Sequence, residues 1–404
     1  MYNREQPESS GICPEKGNVS TAAGRRKTLE GDEDLRAFQS IGHYFKHTDL
    51  YLLILSILAS SYGIALIYSA TRSYETDKFI IVQAVGMGLG IVAFIIMSLI
   101  EIDNLARYWK ILFLVNIVLQ CSLFVFGQAE GGNRSWIRFG SIGIQPAEIG
   151  KVLFVLTFAA HMITVKERMN NWKYLLSLMM HLLIIMGIIV ISSDDVGMSL
   201  SYLFICAIML FAGGLSGKWF AAAGILGVAS IPFIWNFALG DFQKKRILVL
   251  FDPTLDPDTS YQATQSRMAI GSGQVTGEGF MQGRQVQYGA LPAKHTDFIF
   301  AVAGEELGFI GAMAVVILLA LIILRIFYVT YKANTPYSAL VCVGIGGMIL
   351  FQTFENILMC LGLGPVMGLT LPFFSYGGTS LVTMYLAVGI VAGVRMREKP
   401  SWLQ

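Results

Sequence analysis

Ten runs of about twenty apolar residues, strung through almost the whole chain, limit this sequence's possible folds more than any other feature. They fall near residues 50–69, 79–99, 110–127, 148–165, 174–192, 196–213, 219–238, 299–325, 337–362 and 374–394. A helix of that length matches the hydrocarbon thickness of a bilayer. Only 14% of the residues are Asp, Glu, Lys or Arg, against about 25% in a soluble domain. The expected class is therefore an all-α polytopic membrane protein of ten transmembrane helices, with a large extracytoplasmic loop between the seventh and eighth.

Basic residues near the span ends set the expected orientation. With ten spans, Arg25, Arg26, Lys27, Lys46, Arg107, Lys110, Lys166, Arg168, Lys173, Lys218, Arg325, Lys332, Arg395, Arg397 and Lys399 all fall on one face. That face reads as cytoplasmic, with both termini inside. The opposite face receives the segments 70–78, 128–147, 193–195, 239–298 and 363–373. Residues 1–33 are rich in Gly, Ser, Pro, Glu and Lys and lack the apolar run of a signal peptide, so they read as a disordered cytoplasmic tail. Residues 35–48 suit a short interfacial helix. The domain reading is thus a tail over 1–48, one membrane domain over 49–398 that includes the 239–298 loop, and a C-terminal tail over 399–404.

The net charge of +2 follows from this bias and gives no case for a nucleic-acid partner. The five cysteines lack metal-ligand or outward disulfide spacing and read as small hydrophobes.

Polar chemistry gathers in a few places. The stretch Leu291–Gly311 sets His295, Asp297, Glu305 and Glu306 against the mouth of a span, where charge is costly and usually has work to do. By position alone Asp297 reads as a helix cap. Glu305 and Glu306, two turns further on, exceed what a cap explains, and His295 reads as a solvated loop histidine. In the 131–151 segment, Gly131 and Gly132 permit a tight turn, Trp136 suits an interface and Pro146 suits a first helical turn. Glu148 and Lys151 share a helix face and can pair; the alternative is that Arg134, Arg138 and Lys151 hold an anionic head group.

Asp194 and Asp195 precede an apolar run and read as an N-cap, with two-carboxylate metal binding as the alternative and no third ligand evident. Lys244, Lys245 and Arg246 form an outward basic run against the positional bias, which suggests anion contact. Gln262, Gln265, Ser266 and Ala269 share one helix face, and Gly271, Gly273, Gly277, Gly279 and Gly283 let backbone pass close to something bulky. Pro365, Pro372, Gly368, Gly377 and Gly378 interrupt helix at membrane depth, which is tolerated where backbone lines a cavity. Gln352, Glu355 and Asn356 add polar groups to about one turn of the ninth span.

The order GGNRSWIRFG with QPAEIGK, DDVG, YQATQSRMAIGSG, LPAKHTDFIFAVAGEELGFIG and GPVMGLTLPFFSYGGTS resembles the SEDS family, named for shape, elongation, division and sporulation. The resemblance runs from the first span to the last. The run GEGFMQGRQ before LPAKHTDF is more similar to the elongation branch, RodA, than to the division branch, FtsW. It implies a peptidoglycan glycosyltransferase that polymerises lipid II at the outer face of the bacterial cytoplasmic membrane in service of cell elongation. A class B penicillin-binding protein would be the partner that crosslinks the product.

The resemblance maps the family's essential carboxylate onto Asp297, its loop tryptophan onto Trp136 and its basic residue after the QPSE-like motif onto Lys151, with Glu148 beside it. The chain departs from the family pattern with QPAE for QPSE, DDVGMS for PDLGTA, LPAKHTDF for LPEQHTDF and PVMGLTLPF for PVTGIPLPF. Loss of the acid at Ala293 and gain of Lys294 are expected to alter the field around Asp297.

On this reading Asp297 is the general base that accepts the proton of an attacking sugar hydroxyl. The departing diphosphate needs cations, for which Arg138, Lys151 and Arg246 are candidates, or a divalent ion such as Mg2+. Gln262, Glu306 and Ser375 complete the expected substrate-binding set. The competing readings are a lipid II flippase, which the interior polar groups of the ninth span favour, and a non-catalytic scaffold for the transpeptidase.

Overall fold

The computed structural model describes residues 48–397 apart from 75, 131–132, 140–141, 234, 237–239, 251, 253 and 256. The expected N-terminal tail, the final residues and Gly131–Gly132 lie outside the described residues. The helices are α1 Leu50–Thr71, α2 Lys78–Leu99, α3 Trp109–Phe126, α4 Pro146–Val165, α5 Trp172–Ser193, α6 Val196–Ala212, α7 Gly217–Phe233, α8 Asp241–Leu248, α9 Pro257–Ser272, α10 Ile299–Lys332, α11 Pro336–Cys360 and α12 Gly378–Met396. Among the described residues, eight helical stretches are long and apolar enough to cross a membrane, while α6 and α7 are shorter apolar helices. Every apolar run of the sequence thus becomes a helix, and two of them stop at 17 residues.

The chain's termination signals work as local chemistry dictates. Pro146 sits in the first turn of α4, where its missing N–H costs nothing. The Asp195 carboxylate accepts the Met198 amide at 2.9 Å and caps α6, as its position predicts. Asp49 caps α1 by accepting the Leu52 amide, and it also takes Arg325 Nε at 2.9 Å.

Helices α11 and α12 are mostly buried, whereas α2 and α3 turn most of their surface outward. On α2 the exposed stripe is Ile81, Val85, Leu89, Val92 and Ile96, and the buried stripe is Gln83, Gly86, Gly90, Phe94 and Ser98. This inverted amphipathicity suits a helix with lipid on its outer side. The small residues let α12 approach closely: a Cβ on Gly90 would stand 2.6 Å from the Tyr385 ring, and one on Gly86 3.0 Å from Gly378.

Two connections are more structured than their sequences suggest. Residues 128–144 form a three-stranded antiparallel sheet, β1 Gln128–Glu130, β2 Asn133–Phe139 and β3 Ile142–Ile144, packed against α3 and α4. The 239–298 segment contains α8, α9 and a short helix at Arg284–Gln287.

That second segment also explains the glycine run. Helix α10 breaks at Gly308, with φ 65° and ψ −162°, and the break frees backbone groups inside an apolar region where each must find a partner. The loop supplies them. Glu278 and Gly279 amides donate to the Glu305 and Glu306 carbonyls at 2.9 and 3.1 Å, and the Phe309 and Ile310 amides donate to the Gln274 and Val275 carbonyls at 2.8 and 3.2 Å. Such an approach requires glycine: a Cβ on Gly273 would lie 1.9 Å from the Gly304 carbonyl oxygen, and one on Gly277 2.2 Å from that of Glu306.

Candidate active site

Asp297 lies one residue before the Phe298 N-cap of α10, and no side chain caps that helix. Its position therefore does not make it a cap, contrary to the simplest reading of the sequence. What is fixed is its backbone. Asn356 Nδ2 donates to the Asp297 and Leu369 carbonyls, both at 2.8 Å, and Cys360 Sγ approaches the same Asp297 oxygen at 3.6 Å. The irregular 364–377 segment is tied down on the other side. Ser375 Oγ donates to the Thr296 carbonyl at 2.7 Å and accepts the Leu371 amide at 2.8 Å, and the Tyr376 amide donates to the His295 carbonyl at 2.8 Å.

Gly368 turns over the carboxylate with φ 71°, and a Cβ there would stand 3.6 Å from Oδ2. Among the described residues nothing donates a hydrogen bond to the carboxylate itself. Burial raises its pKa from 3.8 to about 6; the Arg246 charge pulls it down and the Asp195 charge pushes it up. A carboxylate held by its backbone, without a donor among the described residues and half-shielded from water is poised to take a proton near neutral pH.

Charged neighbours extend inward from it. Arg246 acts on both Asp297 and Asp195. Asp195, beyond capping α6, accepts Ser135 Oγ at 3.2 Å and feels the Lys151 charge; burial raises its pKa against these partners. Lys151 Nζ meets Glu148 Oε1 at 2.9 Å, both side chains buried, and Gln352 Nε2 donates to that oxygen at 3.2 Å. Glu355 completes the group, close enough to feel the charges of Asp297 and Asp195. Glu148 Oε2, Gln352 Oε1 and both Glu355 oxygens are buried and accept no hydrogen bond from any described residue. Buried acceptors without donors are rare in a finished core.

Other expected residues stand elsewhere. Glu306 is a correction: fully buried, it accepts Ser69 Oγ at 2.6 Å, Gln287 Nε2 at 3.0 Å and the Met281 amide at 3.2 Å, so its oxygens serve the glycine loop. Glu305 does the same for the Gln285 and Val286 amides at 2.6 and 3.0 Å. Ser375 is buried and its hydroxyl is committed to backbone on both sides, so it positions the 371–376 turn rather than meeting a ligand.

Lys294 is a second correction. It points away from Asp297, donates to Ser73 Oγ and the Val286 carbonyl, and lies 5.2 Å from the Tyr74 ring centre. Burial lowers its pKa while Glu306 and Glu305 raise it, so its ammonium is engaged on the side of the glycine loop.

His295 is not a solvated histidine. It packs against Phe79, Tyr376 and Tyr74 with ring centres 4.8, 5.6 and 5.8 Å away, and burial pushes its pKa down to about 4. On β2 the side chains alternate. Ser135 and Ile137 are buried, while Trp136 lies over Gly143 and Arg138 is exposed with its charge felt by Tyr376. Trp136 and Arg138 therefore occupy the opposite strand face from the Ser135–Asp195 contact. Gln262 is partly buried one turn before Ser266, whose hydroxyl donates to the Cys360 carbonyl at 2.7 Å.

Among the described residues no group of three or more His, Cys, Asp or Glu side chains is arranged to hold a metal. The cations the fold brings to Asp297 are Arg246 and, through Asp195, Lys151. Sequence reasoning gave Asp195 a cap, with metal binding beside Asp194 as the alternative, and missed its place in this group, because nothing local shows that α6 begins beside α10.

Comparison with known proteins identifies the family and the fold. The family of cell cycle proteins comprising FtsW, RodA and SpoVE matches residues 49–400. The chain is 32% identical over 369 residues to the probable peptidoglycan glycosyltransferase FtsW of Geobacter metallireducens, covering 87% of this chain and 95% of that one. It is 31% identical over 358 residues to the peptidoglycan glycosyltransferase MrdB of Escherichia coli K12, with the same coverage of 87% and 95%. Among solved structures it resembles a chain of a peptidoglycan synthase complex that coordinates polymerization and crosslinking, with TM-score 0.74, 26% identity and coverage of 86% and 97%. It also resembles the rod shape determining protein RodA of Thermus thermophilus, with TM-score 0.65, 25% identity and coverage of 88% and 98%. On residues 49–400 and this shared fold, the chain belongs to the SEDS family of FtsW, RodA and SpoVE.

Proposed function

We propose that this chain is a peptidoglycan glycosyltransferase of the bacterial cytoplasmic membrane that polymerises lipid II at the outer face, with Asp297 as its general base. The observation that carries the reading is the Asp297 carboxylate, clamped through its backbone, without a donor among the described residues and pushed by burial up to about 6. In the reaction a GlcNAc 4-hydroxyl oxygen bonds to the anomeric carbon of a second sugar as that carbon's bond to the diphosphate oxygen breaks. The hydroxyl proton passes to Asp297 and the electron pair leaves with undecaprenyl diphosphate, inverting the anomeric centre. Proton removal by a positioned base is worth about 10² to 10⁴ in rate.

Arg246 lies where a cation can both keep Asp297 ionised and meet the developing diphosphate charge. Lys151, locked to Glu148, sets the field behind Asp195. Trp136 and Arg138, on the outer face of the hairpin, are assigned to the approach of the substrate. The topology is ten spans with both termini cytoplasmic, α6 and α7 crossing as shorter helices. A class B penicillin-binding protein is the partner that crosslinks the strands, and the GEGFMQGRQ run supports a role on the elongation branch.

One observation favours a carrier instead: the polar group of Glu148, Lys151, Gln352 and Glu355 reaches into α4 and α11. Purified chain supplied with labelled lipid II separates the readings. A polymerase makes glycan strands in detergent and Asp297→Asn does not; a flippase moves label across vesicles without strands; a scaffold does neither. Strand synthesis retained by Asp297→Asn refutes the base assignment.

A further inference from the structure

The inner ends of α4, α6, α10 and α11 enclose a cavity of about 180 Å³ that the proposed reaction does not use, lined by Met162, Met169, Lys166, Thr330, Ala339 and Val343 with their neighbours. Its walls are apolar. The Thr330 hydroxyl donates to the Ile326 carbonyl at 3.0 Å, so it offers a ligand little, and Lys166 is the one charged lining residue. Lys166 is exposed and stands at the C-terminal end of α4, followed by Glu167 and Arg168, so its ammonium marks the rim of the cavity.

The flank of the cavity formed by the end of α6 faces outward: Ala212 is exposed and the preceding Phe211 is 73% exposed. A phenylalanine so exposed on an apolar helix faces hydrocarbon. The cavity depends on small residues, since a Cβ on Gly213 would already meet Met162 Cε at 2.4 Å. The nearby N-terminus of α11 does not supply anion binding. Asp103 occupies it, accepting the Thr335 and Ser338 hydroxyls at 2.7 and 3.2 Å, which leaves Lys166 to hold any anion.

We propose that this cavity is a binding site for one acyl chain of an anionic phospholipid of the inner leaflet, whose phosphate pairs with Lys166. An apolar slot with a single cation at the membrane–water boundary matches a lipid in both parts: chain inside, head group at the rim. The methionines suit such a ligand, because their flexible thioethers repack around a disordered chain. A free phosphate would satisfy Lys166 but leave the apolar volume unfilled.

Native mass spectrometry of the detergent-purified full-length chain, titrated with phosphatidylglycerol, phosphatidylcholine or inorganic phosphate, tests this. The expected result is one retained phosphatidylglycerol beyond the annular background, weaker binding of phosphatidylcholine and no binding of phosphate alone. Lys166→Gln, an exposed change that leaves the fold intact, should weaken phosphatidylglycerol binding about fivefold and abolish the preference over phosphatidylcholine, the loss expected for one cation at the surface. Ala339→Phe should fill the slot and displace both lipids, with an unchanged melting temperature as the control for folding. Equal lipid retention in all three proteins, or retention with no head-group preference in the unmodified chain, overturns the proposal, as does binding of inorganic phosphate alone.

Discussion

Two groups of acids, Glu305 with Glu306 and Asp297 with Glu355, differ in almost every physical respect. At Glu305 and Glu306 every carboxylate oxygen accepts from a loop amide, a hydroxyl or an amide side chain. At Asp297 and Glu355 no described residue donates to a side-chain oxygen, although the backbone around Asp297 is firmly tied. The first group has the properties of a structural staple, since a buried charge is tolerated when it is fully hydrogen-bonded. The second keeps acceptor capacity unspent in a region where that is costly, which is what a proton-accepting site needs. Being acidic in a membrane protein is therefore a poor guide to chemistry, and saturation by protein donors is a better one.

Substitutions on each side sharpen the contrast. The largest effect should come from Asp297→Asn, which keeps shape and the clamped backbone. Strand synthesis from labelled lipid II should fall by about 10² to 10⁴, with the melting temperature unchanged. Glu305→Ala should do the reverse. It orphans the Gln285 and Val286 amides at a cost of roughly 1–3 kcal/mol each, so thermal unfolding should come earlier while activity per folded molecule at low temperature survives.

Smaller in effect, Arg246→Gln removes the cation that holds the Asp297 pKa down. The acidic limb of the pH–rate profile should therefore move to higher pH, and a shift to lower pH would contradict the assignment. Smallest should be Glu355→Gln on stability: with no donors to lose, its melting temperature should match or exceed the parent's, in contrast to Glu305→Ala. A drop as large as that of Glu305→Ala would mean Glu355 is as fully bonded as the loop acids.

Much of the frame was readable in the chain. The apolar runs place the helices, Pro146 starts α4, Asp195 caps α6, and the i, i+3 spacing of Glu148 and Lys151 forecasts their ion pair. These are features that a few neighbouring residues decide. Partners far apart in sequence were not readable: Glu306 bonds Ser69, 237 residues away, and nothing near either residue announces it.

Lys294 misled for the same reason. Its nearness to Asp297 in sequence suggested a shared field, but a chain turn sends it to Ser73 and Val286. The 131–151 segment formed strands where a turn and anchor were expected, because alternation over seven residues is too short to stand out beside the spans. The glycine run was read as close approach to something bulky. The bulky object is the chain's own broken helix at Gly308.

The pH dependence of strand synthesis by the purified chain tests the central claim most directly. Asp297 must be ionised to accept a proton, and its pKa is raised from 3.8 to about 6, so the rate should climb as pH rises through about 6 and level off above it. A rate that stays flat from well below that point, or that falls as pH rises through it, would contradict Asp297 as the base.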